Sequence, residues 1–224
     1  MLTIERIQAV LFDIDGTLSD TDDAYLDRLL RFTRPFQALF GGRNPRRVYR
    51  RWMMASEDIA SLLFTVPDRL GIDPYLDRCI NWLSRLRGIS QPDWFRLIDG
   101  VGPMLENLSR RYPLAIVTSR NQRSTDAFLA QFGLTPCFRT VITAFSTPRI
   151  KPHPAPILAA AGALGVPPVG CLMVGDTSVD ILSGRRAGAQ TAGVLCGFSQ
   201  RADLEKAGAD AILETTADLI GLLG

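Results

Sequence analysis

The sequence predicts an α/β fold: a doubly wound, Rossmann-like parallel sheet interrupted once by an all-helical insert. Three observations predict it. Short β-rich runs recur along the 224 residues, and most are almost wholly apolar, as strands buried on both faces are. From residue 100 onward helix-like stretches separate these runs, and strand alternating with helix is the pattern of a parallel sheet. Between the first run and the second, about a hundred residues hold no clear strand and carry helical spacing instead.

The first strand is expected in IQAVLFD (7–13). The insert follows, over residues 19–98, between core segments 1–18 and 99–224. Its first helix is expected over 23–33, opened by Asp22 and Asp23 and broken near Pro35. Val48, Trp52, Ala55, Ile59 and Leu62 then recur every three or four residues, as do Leu76, Cys79 or Ile80, Leu83 and Leu86. The core resumes near Asp99-Gly100 with a helix in 102–112, which gathers Met104, Leu105, Leu108 and Tyr112 on one side. Strands are expected in LAIVTS (114–119), RTVIT (139–143), GCLMVGD (170–176), TAGVL (191–195) and ADAIL (209–213). Helices are expected in 124–134, closed by Gly133, and in 153–165, with prolines in the first turn and a closing glycine.

Composition narrows the function classes. With 46% hydrophobic and 21% charged residues the chain reads as globular and soluble. A formal net charge of +2 gives no field that would draw nucleic acid. Four widely spaced cysteines (Cys79, Cys137, Cys171, Cys196) and a single histidine, His153, suit neither a zinc site nor a disulfide framework. His153, in the first turn of its helix, is expected to be structural. No apolar run is long enough to span a membrane, and Glu5 and Arg6 ahead of a short strand are unlike a secretion signal. A reducing cytoplasm is the expected compartment. Of 25 basic residues only Lys151 and Lys206 are lysines, so each deserves inspection.

In open parallel sheets, ligands bind beyond the carboxyl ends of the strands. The residues expected there are Asp13 and Asp15 after the first strand, Thr118, Ser119 and Arg120 after the second, and Asp176 and Asp180 after the fourth. Lys151 lies in the loop leaving the third. Residues i and i+2 of an extended segment point the same way, so Asp13 and Asp15 can face one pocket, where a divalent cation relieves their repulsion. Gly16 lets the backbone turn sharply and approach an anion. A helix beginning near Ser124 offers oriented N–H groups to a phosphate.

DIDGT, a strand-terminal Thr-Ser, KPHP and GDTSVD, in this order, resemble the motifs of the haloacid dehalogenase superfamily of phosphotransferases. The insert after the first motif resembles the helical cap of its phosphoglycolate phosphatase and β-phosphoglucomutase branch. The resemblance implies a Mg²⁺-dependent phosphatase acting on a small phosphorylated metabolite through an aspartyl-phosphate on Asp13. It implies Mg²⁺ held by the carboxylates of Asp13 and Asp176 and the main-chain carbonyl of Asp15. Asp15 would be general acid for the leaving alcohol, then base for the hydrolytic water. An aspartate there sets the chain apart from the dehalogenase and phosphonatase branches. Thr118, with Gly16 and Ser119, would contact phosphate; Lys151 would bind phosphate and offset Asp13. Asp180 would hold a metal-bound water or orient Lys151. Arg120 departs from the small or amide residue expected there and is read as reaching the leaving group or solvent.

The insert carries a surplus of basic residues, dense at Arg43, Arg46, Arg47, Arg50 and Arg51. These are expected mainly on a solvated helix face, although guanidinium groups would suit an anionic leaving group. A phosphomutase and a non-catalytic phosphate-binding protein are the alternatives; intact Asp13, Asp15, Lys151 and Asp176 argue against the second. The chain is expected to be a monomer or homodimer without nucleic-acid or membrane partners.

Overall fold

Six strands form one wholly parallel sheet in the computed structural model, which describes residues 2–20 and 95–224. The strands are β1 (Ala9–Phe12), β2 (Leu114–Val117), β3 (Phe138–Ile142), β4 (Cys171–Gly175), β5 (Gln190–Val194) and β6 (Ala211–Leu213). Their order across the sheet is β3-β2-β1-β4-β5-β6. The helices between them are α1 (Val101–Ser109), α2 (Gln122–Gln131), α3 (Ala155–Leu164), α4 (Ser178–Ala187), α5 (Arg201–Ala207) and α6 (Leu219–Leu223). Every predicted strand is present, within two residues of its expected bounds. The helix expected over 124–134 starts earlier, because Asn121 caps it by accepting a hydrogen bond from the Ser124 N–H at 2.8 Å.

The three central strands are buried on both faces, which is why they read as continuous apolar runs. Side chains nevertheless alternate. Val10 and Phe12 face a layer with Met104, Leu105 and Leu108 of α1 and Phe128 and Leu129 of α2. Ala9 and Leu11 face the opposite layer, with Ile157, Ala160 and Ala161 of α3. Fully buried side chains such as Phe12 and Phe128 each contribute roughly 1.5–3 kcal/mol through apolar surface removed from water. The edge strands are shorter of cover: β6 is only partly buried along its length.

Register sets where the site lies. Phe12 pairs with Ile116 on one side and Val174 on the other, so β1, β2 and β4 end level with one another. Asp13 follows Phe12, Thr118 follows Val117, and Asp176 follows Gly175, which brings all three to one edge. The chain leaves this edge after β1 and returns before α1, and the two crossings pair. The Asp20 N–H donates to the Arg96 carbonyl at 2.8 Å, and the Ile98 N–H to the Leu18 carbonyl at 3.0 Å. Ser19 and Leu97 form an antiparallel bridge, so the two ends of the predicted insert are extended. The helices expected within it, Arg43, Arg46, Arg47, Arg50, Arg51, Cys79 and the three tryptophans all lie outside the described residues. Among the described residues no helix is long and apolar enough to cross a membrane.

Candidate active site

Asp13 stands one residue beyond β1, with its N–H still in the ladder, donating to the Val174 carbonyl at 3.0 Å. Its side chain is nearly buried and its Oδ1 accepts from Lys151 Nζ at 2.9 Å. Lys151 is itself buried, in the loop between β3 and α3. It also donates to the Val117 carbonyl at 2.9 Å and to Asp180 Oδ1 at 2.6 Å. All three ammonium donors are therefore engaged, and the lysine lies between two carboxylates and the end of β2. A direct phosphate contact, as expected from the sequence, requires one of these bonds to be exchanged.

Charge and burial compete here. Burial pushes the Asp13 carboxyl up, the ammonium of Lys151 pulls it down, and the Asp180 and Asp15 carboxylates push it up again; the result is about 7. Burial would by itself lower the Lys151 ammonium, but Asp13 and Asp180 outweigh that, and it stays above its ordinary value.

Asp176 ends the β4 side of the site and is fully buried. Its Oδ2 accepts from the Phe198 N–H at 2.8 Å and its Oδ1 from Thr17 Oγ1 at 3.3 Å. Gly16, at φ +72°, passes so close that a Cβ there would run into the Asp176 carboxylate. A glycine is needed at this position for that approach as well as for the turn. Asp180 sits in the first turn of α4. Its Oδ2 accepts from Thr177 Oγ1 at 2.6 Å and the Thr177 N–H at 3.2 Å, leaving Oδ1 for Lys151. Of the two parts expected for Asp180, holding a metal-bound water or orienting Lys151, the hydrogen bond to Lys151 is consistent with the second.

Carboxylate oxygens of Asp13, Asp176 and Asp180 lie within 4.8 Å of one another, all three residues buried. Three buried carboxylates offering hard oxygen donors at this spacing fit Mg²⁺. The Asp15 carboxylate is outside this cluster, although the residue is only two positions from Asp13. Its expected part in the metal set is through its main-chain carbonyl.

Asp15 instead meets Arg120. The guanidinium donates from Nε to Asp15 Oδ2 at 2.8 Å and from Nη2 to Oδ1 at 2.5 Å, a two-pronged fork. Arg120 is read from the sequence as reaching the leaving group or solvent; it is buried and turned toward Asp15. Its guanidinium carbon lies 4.8 Å from the Phe95 ring centroid and 5.6 Å from that of Phe128. No local signal marks this, because the two rings come from before α1 and from within α2.

Thr118 is buried, and its Oγ1 accepts from the Arg120 N–H at 3.1 Å. A hydroxyl that accepts one N–H keeps its own proton to donate. Ser119, beside it, is exposed. His153 serves the backbone: its Nδ1 accepts from the Ala155 N–H at 3.1 Å, and its carbonyl from Ser183 Oγ at 2.8 Å. Sequence reasoning missed Thr17 and the Phe198 N–H, two groups that donate to Asp176. Both contacts span more than twenty residues and carry no spacing signal.

A parallel sheet with a carboxylate, a buried lysine and a second carboxylate pair at its carboxyl edge defines the class: an α/β enzyme core of the Rossmann-like type. Comparison with known proteins specifies it. The family model described as haloacid dehalogenase-like hydrolase matches residues 10–194, and the chain belongs to that family. A pyrophosphatase PpaX of Anoxybacillus flavithermus is 30% identical over 227 residues, covering 98% of each chain. A phosphoglycolate phosphatase of Haemophilus influenzae is 34% identical over 129 residues, covering 57% of this chain and 58% of the relative. A haloacid dehalogenase-like family hydrolase from Streptococcus pneumoniae shares the fold, with a TM-score of 0.70 at 22% identity, over 98% of this chain and 100% of the other.

Proposed function

We propose that this protein is a Mg²⁺-dependent phosphatase that hydrolyses a small phosphorylated metabolite through an aspartyl-phosphate on Asp13. The observation that carries the proposal is the Asp13 carboxylate, held at 2.9 Å by Lys151 at the end of the central strand, with Asp176 and Asp180 beside it. A buried carboxylate aimed out of a rigid strand is a placed nucleophile. Asp13 and Asp176, with the Asp15 carbonyl, would hold the metal. When bound, Mg²⁺ would shield nucleophile and phosphate from each other and stabilise the transferring oxygens.

The protein's own residues do the rest. Asp13 Oδ attacks phosphorus as the bond to the leaving oxygen breaks, and Asp15 gives that oxygen its proton. Asp15, now a carboxylate, takes a proton from water as that water cleaves the aspartyl-phosphate and restores Asp13. Thr118 donates its hydroxyl proton to a phosphate oxygen, with Gly16 and Ser119 beside it. Lys151 offsets the charge of Asp13, and Asp180 holds Lys151 in place. We propose further that residues 19–98 serve as the cap domain the sequence predicts, between core segments 1–18 and 99–224. The paired crossings at Leu18 and Ile98 support this, since they tie both ends of that segment to the edge bearing Asp15. The cap would exclude bulk water and contribute to the choice of substrate.

The test is phosphate release from a panel with and without EDTA: phosphoglycolate, pyrophosphate, sugar phosphates and p-nitrophenyl phosphate. Release that needs Mg²⁺ and is lost in Asp13→Asn is expected. No release from any compound would sink the proposal, and isomerised sugar phosphate without free phosphate would replace it with a mutase.

A further inference from the structure

The geometry points to Arg120 as the positioning residue for Asp15: its guanidinium fork fixes the plane and direction in which that carboxylate meets the leaving group. The inference rests on the reading of Asp15 as general acid and base. Asp15 is the more exposed partner, with a side chain 30% accessible against 2% for Arg120. A half-exposed carboxylate just beyond a strand end would turn about its own bonds. Two parallel N–H···O contacts at 2.5 and 2.8 Å remove that freedom, where one point charge would not. A carboxylate has about four acceptor sites, and the fork occupies two of them.

Arg120 is in turn packed against two aromatic rings. Phe95 and Phe128 flank its guanidinium, and their rings stand edge to face at 5.6 Å. Phe95 is anchored by the Gln131 amide, which accepts from its N–H at 3.3 Å and donates to its carbonyl at 2.9 Å. The Arg120 N–H is tied to Thr118 Oγ1, so the residue that orients Asp15 shares a turn with the expected phosphate contact. The device is built from β2, α2 and the return segment before α1. It does not use the cluster around Asp13.

A leaving-group comparison separates positioning from scaffolding. Glycerol 2-phosphate leaves as an alkoxide that needs a proton; p-nitrophenyl phosphate leaves as a stable phenolate. Neither leaving group is charged in the substrate, but both gain negative charge as the P–O bond breaks, so a variant that keeps the cation without the fork is needed to separate charge from positioning. The quantity measured is kcat/KM, which reports phosphoryl transfer to the enzyme. Arg120→Gln is expected to lower it about 100-fold for the alkyl ester and less than about fivefold for the aryl ester. Arg120→Lys, which keeps the charge without the fork, is expected to show the same discrimination, and it carries the comparison should Arg120→Gln fail to fold. Equal losses on both esters, or full recovery by lysine, would overturn the inference. Asp15→Asn serves as the reference. If it discriminates between the esters and the Arg120 variants do not, only the inference fails. If Asp15→Asn itself lowers both equally, the reading of Asp15 as the acid fails and the inference with it.

Discussion

Asp13 and Asp15 are two residues apart and look alike in the sequence, yet they occupy opposite kinds of environment. Asp13 is enclosed between β2 and β4, bonded to a buried lysine and crowded by two more buried carboxylates. Asp15 has a side chain 30% accessible and faces a guanidinium on the β2 side. The first carboxylate is fixed by burial and close charge, the second by a fork of hydrogen bonds. Environments that differ this much give two identical side chains different chemistry. That contrast suits a nucleophile that must not move and an acid that must hand a proton across.

The largest expected effect is on the buried side. Asp13→Asn removes the nucleophile, so phosphate release from the best ester should drop about 10⁴-fold or more. Substantial turnover would break the contrast at its centre. Next is Lys151→Met, which takes from Asp13 and Asp180 the buried cation they share. A loss of about 3–5 kcal/mol in urea unfolding, measured in EDTA, is expected. A smaller value would mean that the lysine is less central to this side than its three bonds suggest.

On the exposed side, Asp15→Asn should cost about 10²–10⁴-fold in kcat/KM on an alkyl phosphate while leaving the fold intact by circular dichroism. Coincident losses of stability and activity would erase the difference between the two carboxylates. Asp180→Asn should weaken Mg²⁺ affinity or turnover by about 10–100-fold, read from an Mg²⁺ titration of activity. The last expected effect is on stability without metal. The Asp13 carboxyl titrates about 7 when folded against 3.8 in its ordinary state. A raised native value contributes stability below about pH 4 that is lost as pH rises through about 7. In EDTA, Asp13→Asn should therefore melt higher than the native chain, with a gap that widens from about pH 4 to about pH 7 and then levels. A gap that narrows over this range would show that Asp13 is not the strained partner.

Much of the core was legible along the chain. Runs such as AVLF and CLMVG are continuous because their strands are covered on both faces, and such runs need little context to recognise. The residues at strand ends were legible too, since a parallel sheet collects them at one edge. Asp180 is legible only as far as two alternatives, a metal-bound water or Lys151, and its Oδ1 accepts from Lys151 Nζ. Arg120 was not legible. Its role depends on Phe95 and Phe128 closing around it, and nothing within a few residues of Arg120 announces either ring. The grip of Thr17 and the Phe198 N–H on Asp176 is hidden for the same reason.

By itself, the sequence determined the order of strands and helices, the edge at which Asp13, Thr118, Lys151 and Asp176 meet, and the type of chemistry those groups permit. Periodicity and strand ends are local properties, and local patterning is written in the chain. The family resemblance implied that Lys151 offsets Asp13; only the tertiary structure made that contact and gave Arg120 to Asp15. Those pairings span 138 and 105 residues. They arise when separate loops pack at one sheet edge, so no spacing along the chain could have distinguished them.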